Sequence, residues 1–205
     1  MKKQAFYLAL MLSGGAIGGY SLLLCGVFAN IQTGNLIKLF LNLVNGFNFE
    51  VIMQCLLPIL GFLLGVFYVK LIEKTKYMAQ IALITEALLL LSSAFIPNGF
   101  WLNIVRSVIL SFCSGIQLQA FHLLDGKFFA TTMCTNNMRS VVDLAFDGIV
   151  QKDKKKLTKA AKVAMFVAAF CVGAVVSAIL YKLIGSWAIL IDLLFLAVAY
   201  FTIEK

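Results

Sequence analysis

Six long apolar runs constrain this chain more than any other feature of its sequence. A helix needs about 20 apolar residues to cross roughly 30 Å of hydrocarbon, and each run meets or approaches that length. In lipid, only helices satisfy their own backbone N–H and C=O groups, unless strands close into a barrel. We therefore predict an all-α polytopic membrane protein with six transmembrane helices: Ala5–Phe28, Val51–Ile72, Ala79–Ile96, Trp101–Leu123, Ala160–Leu183 and Trp187–Ile203.

The composition favours lipid as the solvent. Hydrophobic residues make up 62% of the 205 positions and charged residues 13%, whereas soluble domains average about 45–50% and about 25%. A soluble fold of this length would have too little polar surface, so we expect the lipid bilayer to be the main partner. The five cysteines form no CxxC pair, and no nucleophile–base set or phosphate loop appears. We predict no cofactor, no metal site and no enzymatic activity.

The basic residues predict the orientation of the chain, whose formal net charge is +8. If only the six long runs cross, all 17 lysines and arginines except Lys38, Lys182 and Arg106 fall on one side, Lys205 included. That asymmetry is typical of cytoplasmic loops and predicts that both termini are cytoplasmic. The basic residues do not interleave with aromatic residues on a polar face, so we expect no nucleic acid partner. The basic stretch Gln151–Lys159 is expected to be a solvated loop.

Two further helical segments, Thr33–Val44 and Thr135–Val150, are short for a full crossing. Each could span, re-enter the membrane or lie at its surface. A related glycine-containing run precedes each of them, GGAIGGY at Gly14–Tyr20 and GIQLQAF at Gly115–Phe121.

These matches predict one transmembrane domain, residues 1–205, made of pseudo-repeats 1–97 and 98–205. Three crossings per half would invert the second half relative to the first. Inverted repeats that contain broken helices recur among transporters. The alternative is chance similarity between apolar segments.

The starts of the two short helices are the predicted ligand site. Thr33 and Thr135 suit helix N-caps, and a helix that starts inside the membrane presents free N–H groups and a partial positive charge. Lys38 and Arg139 lie one turn farther along and would add positive charge. The alternative is two capped interfacial helices whose polar residues face water. The predicted ligand-binding residues are Thr33, Gly34, Asn35, Gln117, Gln119, Thr135, Asn136 and Asn137.

Glycines and charges inside the apolar runs suggest further roles. Glycine permits both close helix packing and local unwinding, so the glycines of the first run are either packing residues or a flexible helix break. A charge near a helix centre is costly in lipid and usually has a partner or a purpose. We expect an ion pair between Glu86 and Arg106, and expect Asp192 to pair with Lys182 or to face a cavity. The glycines concerned are Gly14, Gly15, Gly18 and Gly19.

Several runs together resemble the YoaK-type family, a group of bacterial multi-span membrane proteins of unassigned function. The resemblance lies in GVFANIQTGN at Gly26–Asn35, LLPILGFLLGVF at Leu56–Phe67 and ATTMCTNNMRS at Ala130–Ser140. It implies a six-span protein of the bacterial inner membrane and supplies no substrate. Members of that family commonly carry an acidic residue where Gly18 stands and glycine where Asn136 stands.

Three functions follow as hypotheses. The leading one is a secondary transporter or channel-like permease for a small polar or anionic solute, bound between the two halves. The second is a non-transporting scaffold or sensor that uses the basic residues Lys154–Lys156. The third is a membrane enzyme that depends on Glu86, His122 or Asp192. Each of these three functions is compatible with a homo-oligomer.

Overall fold

The computed structural model describes residues 2–203, so Lys205 lies outside the described residues. The described residues are mostly helical, and a short β-hairpin follows the fifth helix. Its elements are α1 (Lys2–Cys25), α2 (Gln32–Val44), α3 (Phe49–Ile72), α4 (Met78–Ala94), α5 (Phe100–Ala120), β1 (Leu123–Leu124), β2 (Lys127–Phe128), α6 (Thr135–Val150), α7 (Lys154–Ile184), a 3₁₀ turn (Gly185–Leu190) and α8 (Ile191–Thr202).

Within residues 2–203, four helical stretches are long and apolar enough to cross a membrane: Lys2–Cys25, Phe49–Ile72, Phe100–Ala120 and Lys154–Thr202. Helix α4 is also apolar but has only 17 residues. The last stretch joins α7 to α8 through Gly185, whose φ of +61° interrupts the helix. The chain is thus an all-α protein with membrane-spanning character, and the count of six crossings stays a prediction.

Most predicted boundaries agree with the structure, and one predicted loop does not. Both short segments are helices, α2 and α6. The basic stretch Gln151–Lys159 is mostly helical, because α7 begins at Lys154. The Asp153 carboxylate caps this helix by accepting from the backbone N–H groups of Lys155 (2.8 Å) and Lys156 (3.4 Å).

Two helix pairs form the bulk of the packing. Helix α1 lies mainly against α7, and α3 lies mainly against α5. The short helix α2 packs on α3, and α6 packs on α7. Helices α4 and α8 pack on α5 and α1 respectively, while α1 meets α5 and α4 meets α8. If α1–α4 are exchanged in order with α5–α8, each of these contacts becomes another contact of the same set.

Each main pair crosses where two glycines bring the backbones together. A Cβ on Gly15 would overlap the carbonyl of Phe170, and one on Gly173 would overlap the carbonyl of Leu12. The α3–α5 pair repeats this arrangement with Gly65 and Gly115. Such close approach needs residues without side chains.

Of the two alternatives for the glycines of the first run, the structure favours packing residues, because α1 continues through all four of them. Glycine weakens a helix by only about 1 kcal/mol relative to alanine, and packing offsets this. A Cβ on Gly14 would meet the Thr131 carbonyl, and one on Gly18 would meet the Asn30 side chain at 2.8 Å. Gly19 faces Ala174.

Contacts at the two ends of the bundle fix the direction of the helices. At one end, Lys3 forms an ion pair with Asp125 at 2.7 Å, and a cavity brings Lys3 beside Ala79 and Ile203. At the other end, Tyr20 donates to the Ser186 carbonyl at 2.7 Å. Helices α1, α4 and α7 therefore start at the Lys3 end, while α5 and α8 end there.

Candidate functional site

A cavity of about 460 Å³ lies where the starts of α2 and α6 meet. Thr33 and Thr135 both line it, and Phe62 of α3 and Phe170 of α7 form its walls. We call it the central cavity. Its lining comprises Asn30, Ile31, Gln32, Thr33, Phe62, Leu118, Met133, Cys134, Thr135, Met138 and Phe170.

Two buried asparagines hold the helix starts in place. Asn35 Nδ2 donates to the Phe28 carbonyl at 2.7 Å, and Asn137 Nδ2 donates to the Ala130 carbonyl at 2.7 Å. Each bond ties the first helical turn back to the segment before it. We call these segments the first break, residues 26–31, and the second break, residues 121–134. Asn35 and Asn137 thus shape the turns, and neither lines the central cavity.

The predicted threonine caps are wrong. Ile31 precedes the first residue of α2 and Cys134 precedes the first residue of α6, and neither side chain accepts a capping bond. Thr33 and Thr135 lie inside the first turn, because the asparagine bonds set the chain entry at Ile31 and Cys134. The first N–H groups of any helix lack intrahelical acceptors, so two helix starts present donors at the central cavity.

Asn30, which is not among the residues predicted from the sequence, joins the two breaks. Its Nδ2 donates to the carbonyls of Gly14 (3.0 Å) and Thr132 (2.7 Å). Its Oδ1 is buried and accepts no hydrogen bond within residues 2–203. The only signal in the sequence was a single amide in the apolar run GVFANI, and its partner lies in the other half of the chain.

The two predicted glutamines do not line the central cavity. Gln117 is fully buried and donates to the Leu10 carbonyl at 2.7 Å, between α5 and α1. Gln119 lines a different cavity of about 320 Å³ at the Lys3 end, with Lys70, Glu73 and His122. Leu118, which lies between them, does line the central cavity, so the rotation of α5 directs both glutamines elsewhere. His122 Nδ1 lies 2.6 Å from the Gln119 carbonyl oxygen.

Gly34 and Asn136 also lie outside the lining of the central cavity. The nearest atom to a Cβ on Gly34 would be in the Phe28 ring, at 3.6 Å. The backbone carbonyl of Asn136 accepts from the Ser140 hydroxyl at 3.0 Å. The helical rotation of α2 and α6 turns both positions away from the cavity.

No lysine or arginine of residues 2–203 lines the central cavity. Lys38 Nζ donates to the Gly26 carbonyl (3.2 Å) and to Gln54 Oε1 (3.3 Å). Arg139 is exposed and pairs with Asp143 at 3.4 Å. The prediction that these two residues add charge to the site is wrong, because each lies on a side of its helix that faces away.

Arg106 does not pair with Glu86. Its Nε donates to the Ser93 carbonyl at 3.2 Å, and its Nη2 donates to the Ile96 carbonyl. Its Nη1 donates to Asn103 Oδ1 at 2.7 Å. Arg106 lies in the second turn of α5, so the hairpin register places it at the end of α4. The last carbonyls of a helix lack intrahelical donors, and the Arg106 guanidinium donates hydrogen bonds to the carbonyls at this end.

Glu86 and Asp192 are both fully buried, and neither forms an ion pair within residues 2–203. The predicted pairing of Asp192 with Lys182 is therefore wrong. Lys182 lies near the end of α7, before the 3₁₀ turn, while Asp192 is carried into the bundle by α8.

The β-hairpin anchors the second break to the Lys3 end. Asp125 and Gly126 both have positive φ, which fits a two-residue turn of type I′. Asp125 pairs with Lys3 at 2.7 Å and with Lys162 at 4.0 Å. The hydrogen bond from Lys3 holds the pKa of the Asp125 carboxyl below its ordinary value.

The comparisons with known proteins give a family but no activity. No curated protein and no solved structure matches the chain. Residues 6–202, which contain every helix from α1 to α8 almost in full, match the family described as "Protein of unknown function (DUF1275)". The chain therefore belongs to the DUF1275 family.

Proposed function

We propose that this protein is a secondary transporter or channel-like permease for a small polar or anionic solute, bound in the central cavity. The observation that carries this proposal is the meeting of two helix starts, with Thr33 and Thr135, on one cavity. Helix N-termini carry unpaired N–H donors and partial positive charge, which suit anions and polar groups.

The proposed architecture is six spans arranged as two inverted repeats, residues 1–97 and 98–205. The exchange of neighbours between the two sets of four helices supports it, and so do the matching bonds of Asn35 and Asn137. Helices α2 and α6 are then re-entrant, because their starts lie inside the bundle. The basic residues support cytoplasmic termini, and the runs quoted above support a YoaK-type protein.

The lining sets limits on the solute. Asn30, Gln32, Thr33 and Thr135 offer neutral polar groups, while the rest of the wall is mostly apolar. About 460 Å³ is within the range of small-molecule sites, roughly 300–1,000 Å³. Because no lysine or arginine within residues 2–203 lines the central cavity, its positive potential comes from the helix starts. A neutral polar molecule or a small monoanion fits this environment best.

Purified protein in liposomes tests the proposal with a panel of urea, glycerol, formate and lactate. We expect at least one probe to raise the melting temperature and to enter the vesicles faster than it enters protein-free ones. Thr33→Val with Thr135→Val keeps the side-chain shape and removes both hydroxyls, so it should abolish both effects. Thr158→Val, on the exposed start of α7, is the matched control.

The proposal fails if no probe binds or crosses, or if the double valine variant behaves like the parent. A cellular phenotype that survives the valine changes but is lost on replacing Lys154–Lys156 would favour the scaffold hypothesis instead.

The exposed apolar faces of α2 and α6 include Phe40 and Phe146. We propose that they contact lipid or a second copy of the chain.

A further inference from the structure

Two carboxyl groups lie in the interior of the bundle, between α4 and α8. Glu86 is in the middle of α4, and Asp192 is the second residue of α8, just after the 3₁₀ turn. Both side chains are 0% exposed. They lie within electrostatic range of each other, and helices α4 and α8 are in direct contact. We call them the carboxyl pair.

The carboxyl pair lacks the partners that a buried ionised group requires. None of its four oxygens accepts a hydrogen bond of normal geometry from residues 2–203. The Ser13 hydroxyl of α1, itself 0% exposed, lies beside Asp192 and forms no hydrogen bond of normal geometry within residues 2–203. A buried polar group therefore faces the pair from a third helix.

The groups that face the carboxyl pair from the surrounding helices carry no positive charge. From α5, the Cys113 thiol lies within electrostatic range of both carboxyls, and its Sγ is 3.9 Å from the Glu86 carbonyl oxygen. Arg106 of α5 is bound at the end of α4. From α1 the facing group is Ser13.

Two ionised carboxylates cannot share a site of this kind without a compensating cation. No group of three or more His, Cys, Asp or Glu side chains suited to a metal ion occurs in residues 2–203. A proton satisfies the same requirement with one atom. It converts one carboxylate into a neutral acid, and an acid at Asp192 has the Ser13 hydroxyl beside it as an acceptor for its O–H.

Helix α1 connects the carboxyl pair to the central cavity within two residues. Ser13 lies beside Asp192. The next residue, Gly14, accepts at its carbonyl from Asn30 at 3.0 Å, and Asn30 lines the central cavity. A rearrangement of α1 at this level would change both places together.

We propose that the carboxyl pair is a proton-binding site that couples proton movement to solute movement through the central cavity. The coupling rests on the proposed transport function, whereas proton binding itself does not. In one cycle a proton from one side of the membrane converts a carboxylate to a carboxylic acid. The same proton leaves to the other side and restores the carboxylate, with no redox change.

Infrared spectroscopy of the protein in lipid tests proton binding without any solute. We expect the C=O stretching band of a protonated carboxylic acid at pH 7. Glu86→Gln and Asp192→Asn conserve side-chain shape, and at least one of them should remove or shift this band. Asp143→Asn, on the exposed face of α6, should leave it unchanged. Absence of the band at pH 7, or a band that neither variant alters, overturns the proton site.

Proteoliposomes with an imposed pH gradient and the same four probes test coupling. We expect gradient-driven accumulation in the parent, and downhill entry without accumulation in whichever of Glu86→Gln and Asp192→Asn alters the infrared band. Downhill entry that ignores the gradient in both proteins overturns the coupling and leaves the transport function standing. An infrared band that responds to the variants, in a protein that moves no probe, supports the proton site and overturns both the transport function and the coupling.

Discussion

The first and second breaks perform the same task with different means. After each break, an asparagine of the following helix, Asn35 or Asn137, donates to a carbonyl seven residues earlier, in the break. The first turn of each of these helices also carries a threonine that lines the central cavity. The first break is short and is tied down by Asn30, while the second is longer and carries the β-hairpin with Asp125. The matching bonds of Asn35 and Asn137 therefore define the helix starts. The bonds of Asn30 and Asp125, which differ between the breaks, hold each break against its surroundings.

The largest effects are expected where the helix before each break crosses its partner. Gly15→Ala and Gly115→Ala each place a Cβ against a backbone carbonyl, of Phe170 and of Phe62. Because backbone cannot move aside cheaply, each change should lower the free energy of unfolding by about 3 kcal/mol, the upper part of the usual overpacking range. Reversible denaturation in mixed micelles measures this loss.

Gly99→Ala is the matched control for the crossings. Its Cβ would meet only a Leu102 methyl at 3.7 Å, so stability should change little. Equal losses at Gly15 and Gly115 would support equivalent crossings in the two halves. Losses no larger than that of the control would show that the backbones do not meet at these glycines.

The two asparagine bonds should make nearly equal contributions. Asn35→Ala and Asn137→Ala each leave a carbonyl in the break without its donor, which costs about 1–3 kcal/mol when the group is buried. We expect about 2 kcal/mol for each, measured by the same denaturation. Asn136→Ala, whose side chain makes no hydrogen bond among residues 2–203, is the neighbouring control. Unequal losses of unfolding free energy would mean that the two asparagine bonds share a geometry but do not contribute equally to stability.

The elements were predictable where the signal is local. Apolar runs located the long helices because hydropathy depends on neighbouring residues, and α6 matches its predicted bounds, Thr135–Val150, at both ends. The repeated threonine and asparagine located both helix starts. The roles inside those starts were misassigned, because which side of a helix faces a cavity depends on its rotation.

Long-range partners were beyond the sequence. The expected ion pair of Arg106 with Glu86 does not form, because Arg106 donates to backbone carbonyls at the end of α4 instead. Asn30 bonds to Thr132 in the other half of the chain. No local pattern encodes such a contact, since it depends on how the two halves dock.

Asn30 distinguishes the first break from the second, and Gly18 offers a way to test it. A Cβ on Gly18 would lie 2.8 Å from Asn30 Nδ2. Gly18→Ala should therefore lower the free energy of unfolding by about 1 kcal/mol, and by much less in an Asn30→Ala background. The difference is the coupling energy, which for residues in contact is about 0.5–3 kcal/mol. Additive losses in the double variant would place Asn30 away from Gly18.

Asp125 of the second break forms an ion pair with Lys3. Removing this ion pair should change the free energy of unfolding least of all the changes considered. Asp125→Asn keeps the turn, because Asn-Gly also suits type I′, and removes only the charge. The pKa of Asp125 is lowered in the folded protein, so its stabilisation is present above its ordinary pKa of 3.8. That stabilisation is lost as the pH falls further, through the folded pKa.

The exposed pair of Asp125 with Lys3 should contribute about 0.2–1 kcal/mol at pH 7, as surface pairs do. The difference in free energy of unfolding between the parent and Asp125→Asn should therefore shrink when the pH is lowered below 3.8. Asp143→Asn removes a carboxylate of equal charge from the exposed face of α6, away from the hairpin. A difference for Asp125→Asn that stays constant with pH would mean that the hairpin is fastened by its apolar contacts alone, such as Leu124 in the core. The two breaks would then differ in length but not in the kind of force that holds them.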